Sequence, residues 1–306
     1  MSKRGYVLTV VLAAIGSLLA WLIGGAATNG NASIKVHQST VPQRIICAAP
    51  SITELVFALG QGERVVGVTD MCVHPPEGIK EKARIGGVYN PSRERILKLK
   101  PDLIIMSDGF DALNELAAGH GIPASTLRMD TLADIRAAIR KVGGLLGCPD
   151  AANSVLRSFD AELDAVRARV KPYRPRRVYL CMSHRPGNLN SLGTCGSVTF
   201  LSELLAIAGG SNVFADVKGA WPQVSKEALL KREPEVILEV QSGDMGVDAE
   251  RFERLRRDWE SLSELPAVRT GEVHFLTQDY LYIPSVRVPQ IAMRMAEAIH
   301  PEAFRE

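Results

Sequence analysis

An internal repeat constrains this chain more than any other feature. Ser92-Arg93-Glu94 is followed by Pro101-Asp102 and the apolar run Leu103-Ile104-Ile105. Ser225-Lys226-Glu227 is followed at the same spacing by Pro234-Glu235 and Val236-Ile237-Leu238. In each copy a serine cap opens a helix, a proline falls seven residues after the glutamate, and an acid precedes a buried strand. A second pair, Glu54-Leu55 to Gly60 and Glu203-Leu204 to Gly209, has equal spacing and lies in the same order. Two ordered matches imply duplicated lobes with pseudo-twofold symmetry.

Between the copies lies Pro149 to Lys171, without glycine or a second proline. Val155, Phe159, Leu163, Val166 and Val170 recur at helical spacing, and acids alternate with arginines on the remaining faces. Asp150 is placed to cap this helix, and Pro172 with Pro175 stops it. It spans roughly 30 Å, about the width of a small domain, which suits a stiff connector. Before it, strands at 44–49, 64–68, 103–106 and 124–127 alternate with helices at 54–59, 93–98, 113–120 and 132–146; Ser51 or Thr53 serves as the first cap. After it, strands at 177–182, 236–240 and 273–276 alternate with helices at 198–208, 226–231, 251–262 and 288–299. Such alternation defines an α/β fold: two similar doubly wound lobes with parallel sheets, joined by a single long helix, with a ligand cleft between them.

The 306 residues suit two domains, and 46% hydrophobic with 23% charged residues is ample for two cores. Residues 1–32 stand apart: Lys3 and Arg4 precede an uncharged apolar run from Tyr6 to Ile23, then a small polar stretch. This is the layout of an export signal, and the run also suffices for an uncleaved N-terminal membrane anchor. No cysteine lies near the end of the run, so the lipoprotein route is not expected. The expected division is 1–32 signal or anchor, 33–43 linker, 44–148 first lobe, 149–172 connecting helix and 173–306 second lobe, the working part lying outside the cytoplasm. Without Lys3 and Arg4, 34 basic residues face 34 acidic ones, which argues against nucleic acid as a partner. The five cysteines show no zinc-type spacing; Cys47 and Cys181 read as core residues, and a Cys181–Cys195 disulfide is one pairing open to the chain.

Several stretches carry a family resemblance: Pro50-Ser51 with Thr53-Glu54-Leu55, Glu94-Arg95-Ile96 with Lys100-Pro101-Asp102, Gly209-Gly210 with Asn212-Val213-Phe214, and Trp221-Pro222-Gln223-Val224-Ser225. Over residues 44 to about 300 the chain resembles the periplasmic substrate-binding proteins of ABC importers for iron–siderophore complexes and cobalamin, and Trp221 to Ser225 points to the cobalamin branch. The resemblance implies a monomeric receptor that delivers a metal chelate to a permease dimer with its ATPase subunits. It implies no resident cofactor, since the chelate is cargo. It also implies that one glutamate per lobe docks onto arginine pockets of the permease, and these positions fall on Glu94 and Glu227. A first-turn glutamate has a second explanation, because it favours the positive helix end.

Ligands of open α/β sheets bind beyond the carboxyl ends of strands. That rule nominates Ser51, Tyr89, Asn90, Asp108, His184, Arg185, Tyr280, Tyr282 and Arg287, the last also matching a cleft arginine of the cobalamin branch. Trp221 is either a lobe core residue or a stacking platform; with Tyr89, Tyr280 and Tyr282 it suits a broad flat ligand. Direct metal coordination by His184 lacks a second ligand at fixed spacing. An enzyme of α/β fold is the competing class, but the nucleophile elbow, HExxH and P-loop are missing. The expected cargo is cobalamin or a related corrinoid, with an iron(III)-siderophore and then haem as alternatives.

Overall fold

The computed structural model describes residues 41–241 and 249–305. The expected signal at 1–32 and most of the linker lie outside the described residues.

The first lobe runs β1 (Ile45–Cys47), α1 (Pro50–Ala58), β2 (Val65–Val68), β3 (Ala83–Arg84), α2 (Arg93–Lys98), β4 (Leu103–Ser107), α3 (Asp111–Gly119), β5 (Ala124–Leu127) and α4 (Leu132–Leu145). Then comes the long helix α5 (Pro149–Val170). The second lobe runs β6 (Arg176–Cys181), β7 (Ser183–Arg185), β8 (Asn188–Gly193), α6 (Phe200–Ile207), β9 (Gly210–Asn212), β10 (Gln223–Val224), α7 (Lys226–Arg232), β11 (Val236–Val240), α8 (Ala249–Glu260), β12 (Val273–Leu276) and α9 (Val288–Ile299). The first sheet has the order β3-β2-β1-β4-β5 and the second β12-β11-β6-β9, both parallel throughout. Setting β1 on β6 aligns β2-β1-β4-β5 with β9-β6-β11-β12, so the topology repeats as the sequence does. What the pattern did not disclose is the antiparallel sheet β10-β8-β7, inserted between β6 and α6 and closed by β10. Its strands carry few apolar residues, so they give no alternation to read.

The repeat extends to individual hydrogen bonds. Asp102 accepts from the Gln43 and Arg44 amides at 2.8 Å, and Glu235 accepts from the Arg177 amide at 2.9 Å. The Arg44 guanidinium donates to the carbonyls of Leu99 and Lys100; that of Arg177 donates to those of Arg232 and Glu233. Lys100 and Glu233, each just before its proline, both have positive φ, +45° and +44°. L-residues enter that region at a cost of roughly 1–2 kcal/mol. Each arginine holds the strained turn against the strand that starts beside it.

Two local expectations need correction, and the cysteine pairing left open by the sequence is answered. The cap of α5 is Cys148, with Pro149 at the first position and Asp150 inside the first turn, where its charge meets the helix dipole. Ser51 and Thr53 lie inside α1, which Pro50 opens, and Thr53 Oγ1 donates back to the Ala49 carbonyl at 3.1 Å. All five cysteines are free, Cys181 and Cys195 included. The buried stripe of α5 is Ala152, Leu156, Phe159, Leu163, Val166 and Val170, with Val155 at its edge. It is no free-standing strut. It packs on α4, α6 and α9, and one continuous apolar cluster joins residues of α1, α4, α5, α6 and α9 from both lobes.

Replacing Phe159, 2% exposed, with alanine should destabilise the protein by about 3–5 kcal/mol in urea unfolding. A second expectation concerns acid. A hydrogen bond from Arg174, with the Arg177 amide, holds the Glu235 carboxyl down to about 2, from an ordinary 4.5. A depressed carboxylate stabilises fully above its unfolded value and loses that contribution as pH falls through its folded one. The benefit should therefore fade between about pH 4.5 and 2, and Glu235→Gln should flatten that limb of the stability–pH curve.

Candidate functional site

A cavity of about 940 Å³ opens between the lobes. The first lobe supplies Pro50, at the start of α1, and Asp70, Met71 and Val73, from the loop that leaves β2. The second supplies Met182 to Arg185 where β6 turns into β7, Val240 and Gln241 at the end of β11, Arg251 on α8, and Asp279, Tyr282 and Ile283 after β12. Strand carboxyl ends therefore build both walls, as parallel sheets dictate. Met71 and Val73 are exposed apolar side chains on the first wall. Met71 is an unbranched thioether able to adapt to an irregular ligand face.

The floor of the second wall is a buried polar network. Glu239 on β11 is fully buried and accepts from the Trp259 indole N–H and from Gln241 Nε2 at 2.6 Å. His184 Nδ1 lies 3.3 Å from Glu239, and His184 Nε2 lies 3.2 Å from Asp258, close enough to pair though not aligned as a hydrogen bond. Asp258 also accepts from the Gly187 amide at 2.7 Å, which ties the β7–β8 turn to α8. The Trp259 ring packs edge-on against the imidazole at 5.0 Å. This network fixes the wall's shape. Tyr282 does the same above it, its hydroxyl donating to the carbonyls of Met182 at 2.7 Å and Val240 at 3.1 Å. Burial pushes its phenol pKa up, keeping that donor protonated.

Among the described residues, the structure gathers only part of the nominated set. His184, Arg185 and Tyr282 line the cavity. His184 does so with a side chain sealed from solvent and both ring nitrogens facing carboxylates, an arrangement unlike a metal ligand awaiting cargo. Ser51 is buried in the first turn of α1, beside the lining residue Pro50. Tyr89, Asn90 and Asp108 are exposed on the first lobe and do not line the cavity; the Tyr89 ring sits 6.0 Å from Phe110. Trp221 is 55% exposed just before β10, which removes the core reading.

Tyr280 faces elsewhere, into a separate groove of about 310 Å³ between α5 and α9. Arg287 is likewise unavailable: it is buried, with its guanidinium held by Glu54 of α1 and 3.3 Å from Asp279. A buried arginine so paired cannot turn to a ligand without stranding Glu54. The residues that reading missed are chiefly Asp70, Met71 and Val73. The strand-end rule applied to β2 would have found them; the prolines at 75 and 76 drew that segment into the turn class instead.

Glu94 and Glu227 occupy equivalent first turns, behind Ser92 and Ser225, which cap α2 and α7 by accepting from the Arg95 and Ala228 amides. Both glutamates are exposed and remote from the cavity lining. The Glu227 carboxyl is held below its ordinary value by its own backbone amide and the Ser225 hydroxyl.

Two equivalent lobes, a cavity walled by both and rigid walls define a two-lobed binding protein. The periplasmic binding protein family matches residues 45–280, and the chain belongs to that family. An uncharacterized ABC transporter substrate-binding lipoprotein of Bacillus subtilis is 29% identical over 289 residues, covering 92% of this chain and 86% of that protein. A vitamin B12-binding protein of Pectobacterium atrosepticum is 29% identical over 243 residues, 77% of this chain and 82% of its own. The crystal structure of a periplasmic vitamin B12-binding protein of Vibrio cholerae is similar with a TM-score of 0.70 and 26% identity, over 87% of this chain and 99% of that one.

Glu239→Ala would leave His184 and the Trp259 N–H buried without their acceptor, and should cost about 3–5 kcal/mol of stability by urea unfolding. Trp259→Phe takes one donor from the buried Glu239 carboxylate and leaves space at a fully buried site, and should also destabilise.

Proposed function

We propose that this protein is the extracytoplasmic substrate-binding component of an ABC importer, without catalytic activity, and that its cargo is cobalamin or a related corrinoid. The observation that carries the reading is the cavity lining. Its apolar surface comes from Met71, Val73, Met182, Val240, Tyr282 and Ile283, and suits the faces of a large ring. Its charged lining is mixed in sign: Asp70 and Asp279 are acidic, with Asp279 3.3 Å from Arg287, and Arg185 and Arg251 are basic. Haem and many ferric siderophores carry anionic groups and would favour a wall of net positive charge. A corrin ring carries neutral amide side chains, which Ser183, Gln241 and the mixed charges can serve as donors and acceptors.

The test is a visible-absorbance titration of purified residues 33–306 with cyanocobalamin, haem and a ferric siderophore. Retention of cyanocobalamin alone, at one per chain, is the expected outcome; retention of haem or the ferric siderophore instead overturns the corrinoid assignment. Trp221 is half exposed and is not itself one of the lining residues; in this reading it is a stacking platform for the part of a large ligand that projects beyond the cavity. Trp221→Ala should weaken cyanocobalamin binding by roughly 1–3 kcal/mol and leave the melting temperature unchanged. Unchanged affinity would remove Trp221 from the site.

Glu94 and Glu227 are the permease-docking anions of this reading. Each is exposed at the start of its helix, in the same turn of the two repeats, where bidentate arginine contacts can reach it. Replacing both with alanine should abolish most uptake while cyanocobalamin affinity stays at its original value. Normal uptake by the double variant would return both glutamates to a role in their own helices.

A further inference from the structure

Glu54 is a carboxylate in an otherwise largely apolar helix, and it is 3% exposed. From α1 of the first lobe it reaches residues of the second. It accepts from the Ser285 hydroxyl and from two nitrogens of Arg287, the Nε bond being 2.9 Å. Arg287 is the N-cap of α9, and the segment that leads into it carries the cavity residues Asp279, Tyr282 and Ile283. Pro50, one turn ahead of Glu54, belongs to the opposite wall.

The repeat pairs Glu54 with Glu203, and Glu203 does the same in reverse. From α6 of the second lobe its carboxylate accepts from the backbone amide of Leu132, the first residue of α4 in the first lobe, at 2.6 Å. The Thr131–Asp134 capping box satisfies other donors of that helix start and leaves the Leu132 amide to Glu203. Next to it the Phe200 amide donates to the Asp130 carbonyl at 2.6 Å, a second bond between the lobes. Each lobe's first helix thus sends one carboxylate to the start of the other lobe's last helix. Helix starts attract anions, which explains why a duplicated glutamate serves both crossings.

We propose that Glu54 and Glu203 are positioning residues, two crossed carboxylate bolts that set the angle between the lobes and hold the cavity walls at their working separation. The bolts differ in strength. Glu54 is a buried, bidentate ion pair, whereas Glu203 meets one backbone amide at a half-buried site. Lobe motion therefore pivots about the Glu54 side and opens first at Glu203. The inference concerns the free protein and holds whichever chelate it carries.

The experiment measures the distance between bio-orthogonal spin labels at exposed Lys98 and Lys231, one per lobe, with hydrogen exchange of the Leu132 amide measured in parallel. In the parent protein the distance distribution should be single and narrow. In Glu203→Ala the Leu132 amide should exchange at least tenfold faster and the distribution should at least double in width. Glu203→Gln keeps an acceptor oxygen and should restore both values, which loss of general stability would not explain. Glu54→Ala with Glu203→Ala should broaden the distribution further where the protein folds. If that variant does not fold, Glu203→Ala decides alone. A folded Glu203→Ala protein with parental distance width overturns the proposal, and so does faster Leu132 exchange without any broadening.

Discussion

The cavity depends on one physical constraint: besides a smaller cluster of its own, each lobe shares its largest core with the other beneath it. Leu55 of α1, Ile139 of α4, Phe159 of α5, Leu204 of α6 and Ile291 of α9 belong to one buried cluster. Swinging the lobes apart exposes part of that cluster to water at roughly 25 cal/mol per Å². A large hinge motion is therefore costly even before any hydrogen bond breaks. The long helix is the spine of this cluster rather than a rod spanning empty space. Above the cluster the sheets present their strand ends to each other, and the cavity is the space that remains.

That constraint also explains how much could be read from the chain. The duplication, the parallel α/β alternation and the bounds of α2 and α9 followed from caps, prolines and period. Each of these is a local signal: Ser92 caps within three residues, and the α9 stripe repeats within twelve. Even Leu156, missed from the buried face of α5, lies one residue from the Val155 expected there. The insertion β7–β8–β10 was not legible because sparse apolar content erases a strand's period.

The site was less legible, for a reason of the same kind. Tyr280 and Tyr282 are two residues apart in a segment without regular period, yet one faces the groove beside α5 and the other the cavity. Only tertiary packing separates them. Arg287 was read as a ligand group because it follows a strand end. The missing signal lay far away in sequence: Glu54 sits among Ile52, Thr53, Leu55 and Val56, and a buried carboxylate there demands a cation. His184 carries the same lesson. Its neighbours in sequence gave no hint of Glu239 and Asp258, which close on both of its ring nitrogens.

The central claim is that one ligand is held by both lobes at once, in the cavity between Met71 and Met182. Hydrogen exchange with and without saturating cyanocobalamin tests it most directly. The account predicts slowed exchange in two separate stretches, 69–73 of the first lobe and 182–185 of the second, with the groove at Tyr280 unchanged. Slowing confined to one lobe, or centred on Tyr280 and α9, would contradict it.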